Sequence, residues 1–96
     1  MTLHQLNQSA YSASIVRDLC YCLQREDKVI LIEDATIRFQ HDSDDLLISF
    51  TKMGLKVYAL ESDILAYGIT APNNINVISD IEWVDLTNEC NKHIAW

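Results

Sequence analysis

Ninety-six residues with a net charge of −7 predict one small acidic domain spanning 1–96. A chain of this mass folds to roughly 5,600 Å² of surface and buries about 65% of its extended-chain surface, enough for one modest core but not for a deep, closed active site. The seven Lys and Arg residues are dispersed, which argues against direct binding to nucleic acid, and no run of apolar residues is long enough to span a membrane.

The chain opens on Met1-Thr2-Leu3-His4-Gln5-Leu6, with neither the basic region nor the apolar stretch of a signal peptide, so a cytoplasmic location is expected. Leu3–Asn7 reads as the first strand. Ser9 is placed to open a helix from about Ala10 to Gln24, with Ile15, Val16, Leu19 and Leu23 on one face. Lys28-Val29-Ile30-Leu31-Ile32 is apolar after Lys28 and rich in β-branched residues, as a parallel strand buried on both faces requires. Glu33-Asp34 marks its carboxyl end, and Thr36–Phe39 reads as a small extra strand.

Asp42 or Ser43 is placed to cap a helix running to about Met53, with Leu46, Leu47, Phe50 and Met53 as its inner stripe and Gly54 as its left-handed end. Leu55–Leu60 is the third main strand. Ser62 then caps a short helix, Asp63–Tyr67, closed by Gly68, and Ala71-Pro72-Asn73-Asn74 forms a turn. Ile75–Ile78 is the fourth strand. Ser79 with Glu82 three residues later has capping-box spacing and opens a last helix to about Asn91, before the tail His93-Ile94-Ala95-Trp96. Strands alternating with helices at this spacing call for an α/β fold: a small three-layer domain with a parallel sheet and helices on both faces.

No catalytic signature stands out. A dinucleotide or P-loop site needs several glycines at the first strand–helix turn, and that turn reads Asn7-Gln8-Ser9-Ala10. No cofactor is therefore expected. Glu33 and Asp34 lie at the sheet edge where ligands of open α/β folds bind, but two adjacent acids at a strand end are more often solvated, and no metal is expected there. Cys20, Cys22 and Cys90 have no metal-ligand spacing, and an odd count in a reducing compartment implies free thiols. Cys20 and Cys22 sit about 200° apart around a helix, so they do not pair, and each falls on a flank of the buried stripe. Their late-helix position gives a thiolate the unfavourable end of the helix dipole. His4 reads as a structural or interface histidine, His41 as a loop residue and His93 as part of the tail. Trp83 and Tyr58 fit the core or a contact surface, and Trp96 should dock on the domain or on a partner.

Four blocks carry a resemblance: Leu3–Ser9, Val29–Ala35, Leu55–Thr70 and Val77–Trp96, the last two including KVYALESDILAYGIT and VDLTNECNKHIAW. Together they span nearly the whole chain, and in this order they resemble the DsrH/TusB family of small sulfur-relay subunits. The resemblance implies a DsrEFH-like fold and a hetero-oligomer with C- and D-type paralogous subunits, arranged as a dimer of heterotrimers. It implies relay of persulfide sulfur through a downstream sulfur-carrier protein towards 2-thiolation of the tRNA wobble uridine, with the principal sulfur-bearing cysteine on the D-type partner. This chain would then be mainly a structural and docking subunit. Relatives in sulfur oxidation carry a cysteine in the first helix, which makes Cys20 the candidate persulfide carrier of the alternative reading, a Dsr-type sulfurtransferase subunit. An ungapped register places Leu19, not Cys20, at that position. The family also commonly has Gly after its Glu-Asp pair, where this chain has Ala35.

Overall fold

The computed structural model of the chain describes residues 1–41 and 44–96. Five strands form one sheet: β1 (Thr2–Leu6), β2 (Lys28–Leu31), β3 (Lys56–Leu60), β4 (Asn76–Ile78) and β5 (Lys92–Ala95). All are parallel, in the order β4-β3-β2-β1-β5. The helices are α1 (Ala13–Cys22), α2 (Asp45–Met53), α3 (Glu61–Tyr67) and α4 (Asp80–Glu89), with a 3-10 helix at Glu33–Gln40.

The layering follows from handedness. From β1 to β4 the chain steps across the sheet in one direction, so right-handed crossovers put every intervening helix on one face. The connection from β4 to β5 returns across the whole sheet, and the same rule puts α4 on the other face. The packing agrees. Leu6, Val29, Leu31, Val57 and Ala59 meet Leu19, Phe39, Leu46, Phe50 and Ile64 on the first face. On the second face, Leu3, Ile30, Ile32, Leu60 and Ile78 meet Leu86 and Cys90, with Tyr58 and Trp83 packed alongside. The strand run Val29-Ile30-Leu31 is fully buried because alternate residues serve different layers.

Several helix ends fall where local chemistry demands. Gly54 and Gly68 hold φ of 74° and 63° at the ends of α2 and α3. Ser79 Oγ accepts from Glu82 N at 3.2 Å while Glu82 Oε1 accepts from Ser79 N at 3.1 Å, a complete capping box.

Other boundaries differ from the sequence reading. The first helix starts at Ala13, capped by Ser12 rather than Ser9. The Tyr11 hydroxyl accepts from the backbone N–H of Asn7 at 3.0 Å and of Gln8 at 3.3 Å, which holds the preceding residues as a loop. Of the expected stripe, Leu19 and Leu23 are buried, Val16 is half-buried and Ile15 is exposed. Thr36–Phe39 is not a strand but part of the 3-10 helix, because β1 and β3 already occupy both edges of β2. Thr36 Oγ1 donates to Glu33 O at 2.7 Å and stabilises the helical turn. The expected α2 caps, Asp42 and Ser43, lie outside the described residues. Asp44 Oδ1 accepts from Leu47 N at 3.0 Å and caps the helix. Helix α3 begins directly from β3 at Glu61, so Ser62 lies within its first turn rather than capping it. The last helix stops at Glu89, and the tail becomes β5 on the free edge of β1.

Candidate functional site

Each strand ends at the same edge of a parallel sheet, so the residues after β1, β2, β3 and β4 share one rim. That rim is acidic: Glu33 and Asp34 follow β2, Glu61 and Asp63 follow β3, and Asp80 follows β4. Three of its carboxylates, those of Asp34, Asp63 and Asp80, are engaged in structure. Asp63 Oδ2 accepts from Glu33 N at 2.7 Å, which holds Glu33 at φ 49°. The Tyr67 hydroxyl donates to Asp34 Oδ1, and this bond holds the phenol above its ordinary value. Ser62 Oγ donates to Asp80 Oδ1 at 3.5 Å. Among the described residues no three His, Cys, Asp or Glu side chains converge on a point where a metal ion would sit.

A second cluster is buried. His4 is fully enclosed and its Nε2 lies 2.9 Å from Asp27 Oδ2. Asp27, in the turn before β2, also accepts from Thr2 N at 2.9 Å and Gln24 N at 3.0 Å. Burial pushes the Asp27 carboxyl up, but the bonds from His4, Thr2 and Gln24 together outweigh it and hold the group below its ordinary 3.8. Trp96 Nε1 donates to His4 Nδ1 at 3.1 Å, and the two rings stack with centroids 6.2 Å apart. His4 is thus structural, and Trp96 docks within its own domain.

The thiols are dispersed. Cys20 and Cys22 are both exposed in the last turn of α1, not on the flank of its buried stripe. The inward arc of α1 is narrower than expected because only Leu19 of the helix is buried. Cys90 is buried beneath α4, and burial raises its thiol above the usual value, which disfavours a thiolate. None of the three lines either of two grooves on the surface. The larger groove, about 500 Å³, runs between α2 and the β3–β4 edge over Phe39, Leu47, Val57 and Ile75. The smaller, about 220 Å³, lies beside α4 over Tyr58 and Ile78, with Glu82, Asp85 and Glu89 along it. His41 lies on the rim of the larger groove, and His93 Nε2 lies 2.7 Å from Thr87 O.

Two polar residues escaped the sequence reading. Asp27 sits in a charged turn, Arg25-Glu26-Asp27-Lys28, that looks solvated; no local pattern shows that its partner is 23 residues away. Arg38 is buried, donates to Asp44 Oδ2 at 3.1 Å and to Gln8 O at 3.4 Å, and lies over the Tyr11 ring. It ties the β1–α1 loop to α2.

Fold and surface together define a small parallel α/β domain with two surface grooves. The chain belongs to the DsrH family: the model of the DsrH like protein family matches residues 8–93. It is therefore a member of the sulfur-relay class. It is 31% identical to Protein TusB of Shigella sonnei (strain Ss046), over 98% of this chain and 99% of that protein. It is 30% identical, with the same coverage, to Protein TusB of Escherichia coli (strain K12 / DH10B) and of Escherichia coli O1:K1 / APEC. Among solved structures, the ychN protein from E. coli superposes with a TM-score of 0.77, covering 100% of this chain and 99% of that one at 13% identity, which shows a shared fold. Among the described residues no helix is long and apolar enough to cross a membrane.

Proposed function

We propose that residues 1–96 act as one DsrH/TusB-like domain, the docking subunit of a cytoplasmic heteromeric sulfurtransferase complex. Its partners are C- and D-type paralogous subunits in a dimer of heterotrimers. The complex relays persulfide sulfur to a downstream carrier for 2-thiolation of the tRNA wobble uridine. This chain does not itself bind tRNA: its charge is −7 and its basic residues are scattered. The observation that carries the docking role is the setting of the thiols. Cys90 is enclosed and held protonated, while Cys20 and Cys22 stand on an open helix end outside both grooves. End-to-end similarity to proteins named TusB supports the pathway.

The alternative is a Dsr-type sulfur-oxidation subunit in which Cys20 carries the sulfur. Its exposure is the observation that favours this reading. The Cys20 thiolate would attack the outer sulfur of a donor persulfide, forming a new S–S bond as the donor's S–S bond breaks and its thiolate leaves. One experiment separates the two. The chain is co-purified with its C- and D-type paralogues, the complex is loaded with sulfur-35, and subunits are resolved without reductant. Label on the D-type subunit alone supports the docking role. Label on this chain, lost in Cys20→Ser, supports the alternative. Failure to co-purify overturns both.

A further inference from the structure

Helix α4 is apolar on two opposite sides. At about 100° per residue, Trp83 and Leu86 fall on one side and Ile81 and Val84 on the other. Leu86 is buried and Trp83 is packed against the second core cluster, so that side faces the sheet. Ile81 is 76% exposed and Val84 58%. A helix covered on one side ordinarily turns mostly polar residues to water; the outer side of α2 carries Asp45, Thr51 and Lys52 around a single apolar residue, Ile48, which is 39% exposed and lines the larger groove. Apolar residues on both sides suit a helix lying between two layers. This chain supplies only one of them, because α1, the 3-10 helix, α2 and α3 all pack on the far face of the sheet.

The charge around the pair selects the occupant. The charged residues of α4 are Asp80, Glu82, Asp85 and Glu89, with no Lys or Arg. Glu82 closes the capping box and Glu89 accepts from Lys28 Nζ at 2.8 Å, yet both remain on the surface beside Asp85, along the small groove floored by Tyr58 and Ile78. An apolar centre with a carboxylate border repels its own copy, since a symmetric contact would set the same acids against each other. We propose that the outer face of α4, centred on Ile81 and Val84, docks a different protein subunit whose contact surface is apolar at its centre and basic at its rim.

The choice of probe rests on the proposed membership of a heteromeric complex; the face itself does not. Binding of the full chain to the purified C- and D-type paralogues is measured by calorimetry at two salt concentrations. Ile81→Asp with Val84→Asp should weaken binding about 100-fold, as loss of a central anchor does. Asp85→Lys should weaken it about 10-fold and flatten its salt dependence. Leu65→Asp, an equally exposed position on α3, should leave binding within about 3-fold. Circular dichroism and denaturation confirm that each variant is folded. Wild-type binding that the α4 variants leave unchanged overturns the proposal. If neither paralogue binds the wild type, the functional reading fails, and the face is judged by a photo-crosslinker placed at position 81 of the full chain in cells. One mass-identified heterologous adduct, weakened by Asp85→Lys and absent with the crosslinker at position 65, sustains the face. No adduct, or an adduct with a second copy, overturns it.

Discussion

Trp96, the last residue, donates its indole N–H to Nδ1 of His4 in the first strand across 3.1 Å. An indole nitrogen only donates, so Nδ1 of His4 is the acceptor and its proton resides on Nε2, directed at Asp27 Oδ2 at 2.9 Å. The tautomer follows from the network. Three residues distant in sequence thereby satisfy one another, His4 and Asp27 buried and Trp96 half-buried over them, and they fasten the edge strand β5 to the sheet.

Trp96→Phe should keep most of the packing but remove the donor, at a cost of about 1–2 kcal/mol. Deleting Ile94-Ala95-Trp96 also removes half of β5, and should cost about 2–4 kcal/mol. Urea denaturation of the isolated chain measures both. Unchanged midpoints for both variants would show that the tail is dispensable.

Asp27 makes stability depend on acid. Its folded value lies below 3.8, so its contribution is complete at pH values above the unfolded value and disappears as pH falls through the folded one. Asp27→Asn should cost about 2–4 kcal/mol at pH 7 by leaving the buried network mismatched. The wild-type and variant stabilities should draw together below about pH 3.8, with the wild type losing more over that range. Denaturation midpoints from pH 7 to 2.5 test this; parallel curves would rule out Asp27 as the source.

The thiols should separate by reactivity. Under native conditions iodoacetamide should modify Cys20 and Cys22 and spare Cys90, giving two adducts by intact mass, because burial keeps the Cys90 thiol protonated and enclosed. Cys90→Ser should cost about 1–2 kcal/mol as a small buried hydrophobe is replaced. Replacing all three with Ser should leave most sulfur transfer by the assembled complex intact. Complete loss of transfer with assembly preserved would contradict the docking role.

Glu33 is the one non-glycine residue at positive φ among those described. Glu33→Gly should therefore stabilise the chain by about 0.5–1 kcal/mol, whereas Glu33→Val should destabilise it. Thermal or chemical melts compare the two; a stabilising Val would refute strain at this turn.

Much of this fold was written locally. The continuous apolar run at Val29–Ile32 could only be a strand buried on both faces, and the alternation of strands and helices then required parallel crossovers. The caps at Gly54, Gly68 and Ser79–Glu82 depend on neighbours within a few residues, so spacing alone revealed them. The ordered blocks from Leu3 to Trp96 were enough to indicate the family.

What spacing could not reveal are the choices made between distant segments. Whether Thr36–Phe39 became a strand depended on which edges of β2 were free, and β1 and β3 had taken both. The tail His93–Trp96 read as a terminus docked through Trp96, and only the open edge of β1 made it a strand. Asp27 looked like one more surface acid because its meaning lies with His4, a strand away. The outward position of Ile81 and Val84 likewise emerged only once the sheet had claimed the other side of α4. Sequence by itself determined the elements, because propensity, caps and apolar periodicity act over a few residues. Tertiary structure decided edges, buried polar partners and exposed faces, because each is a competition between segments for the same space.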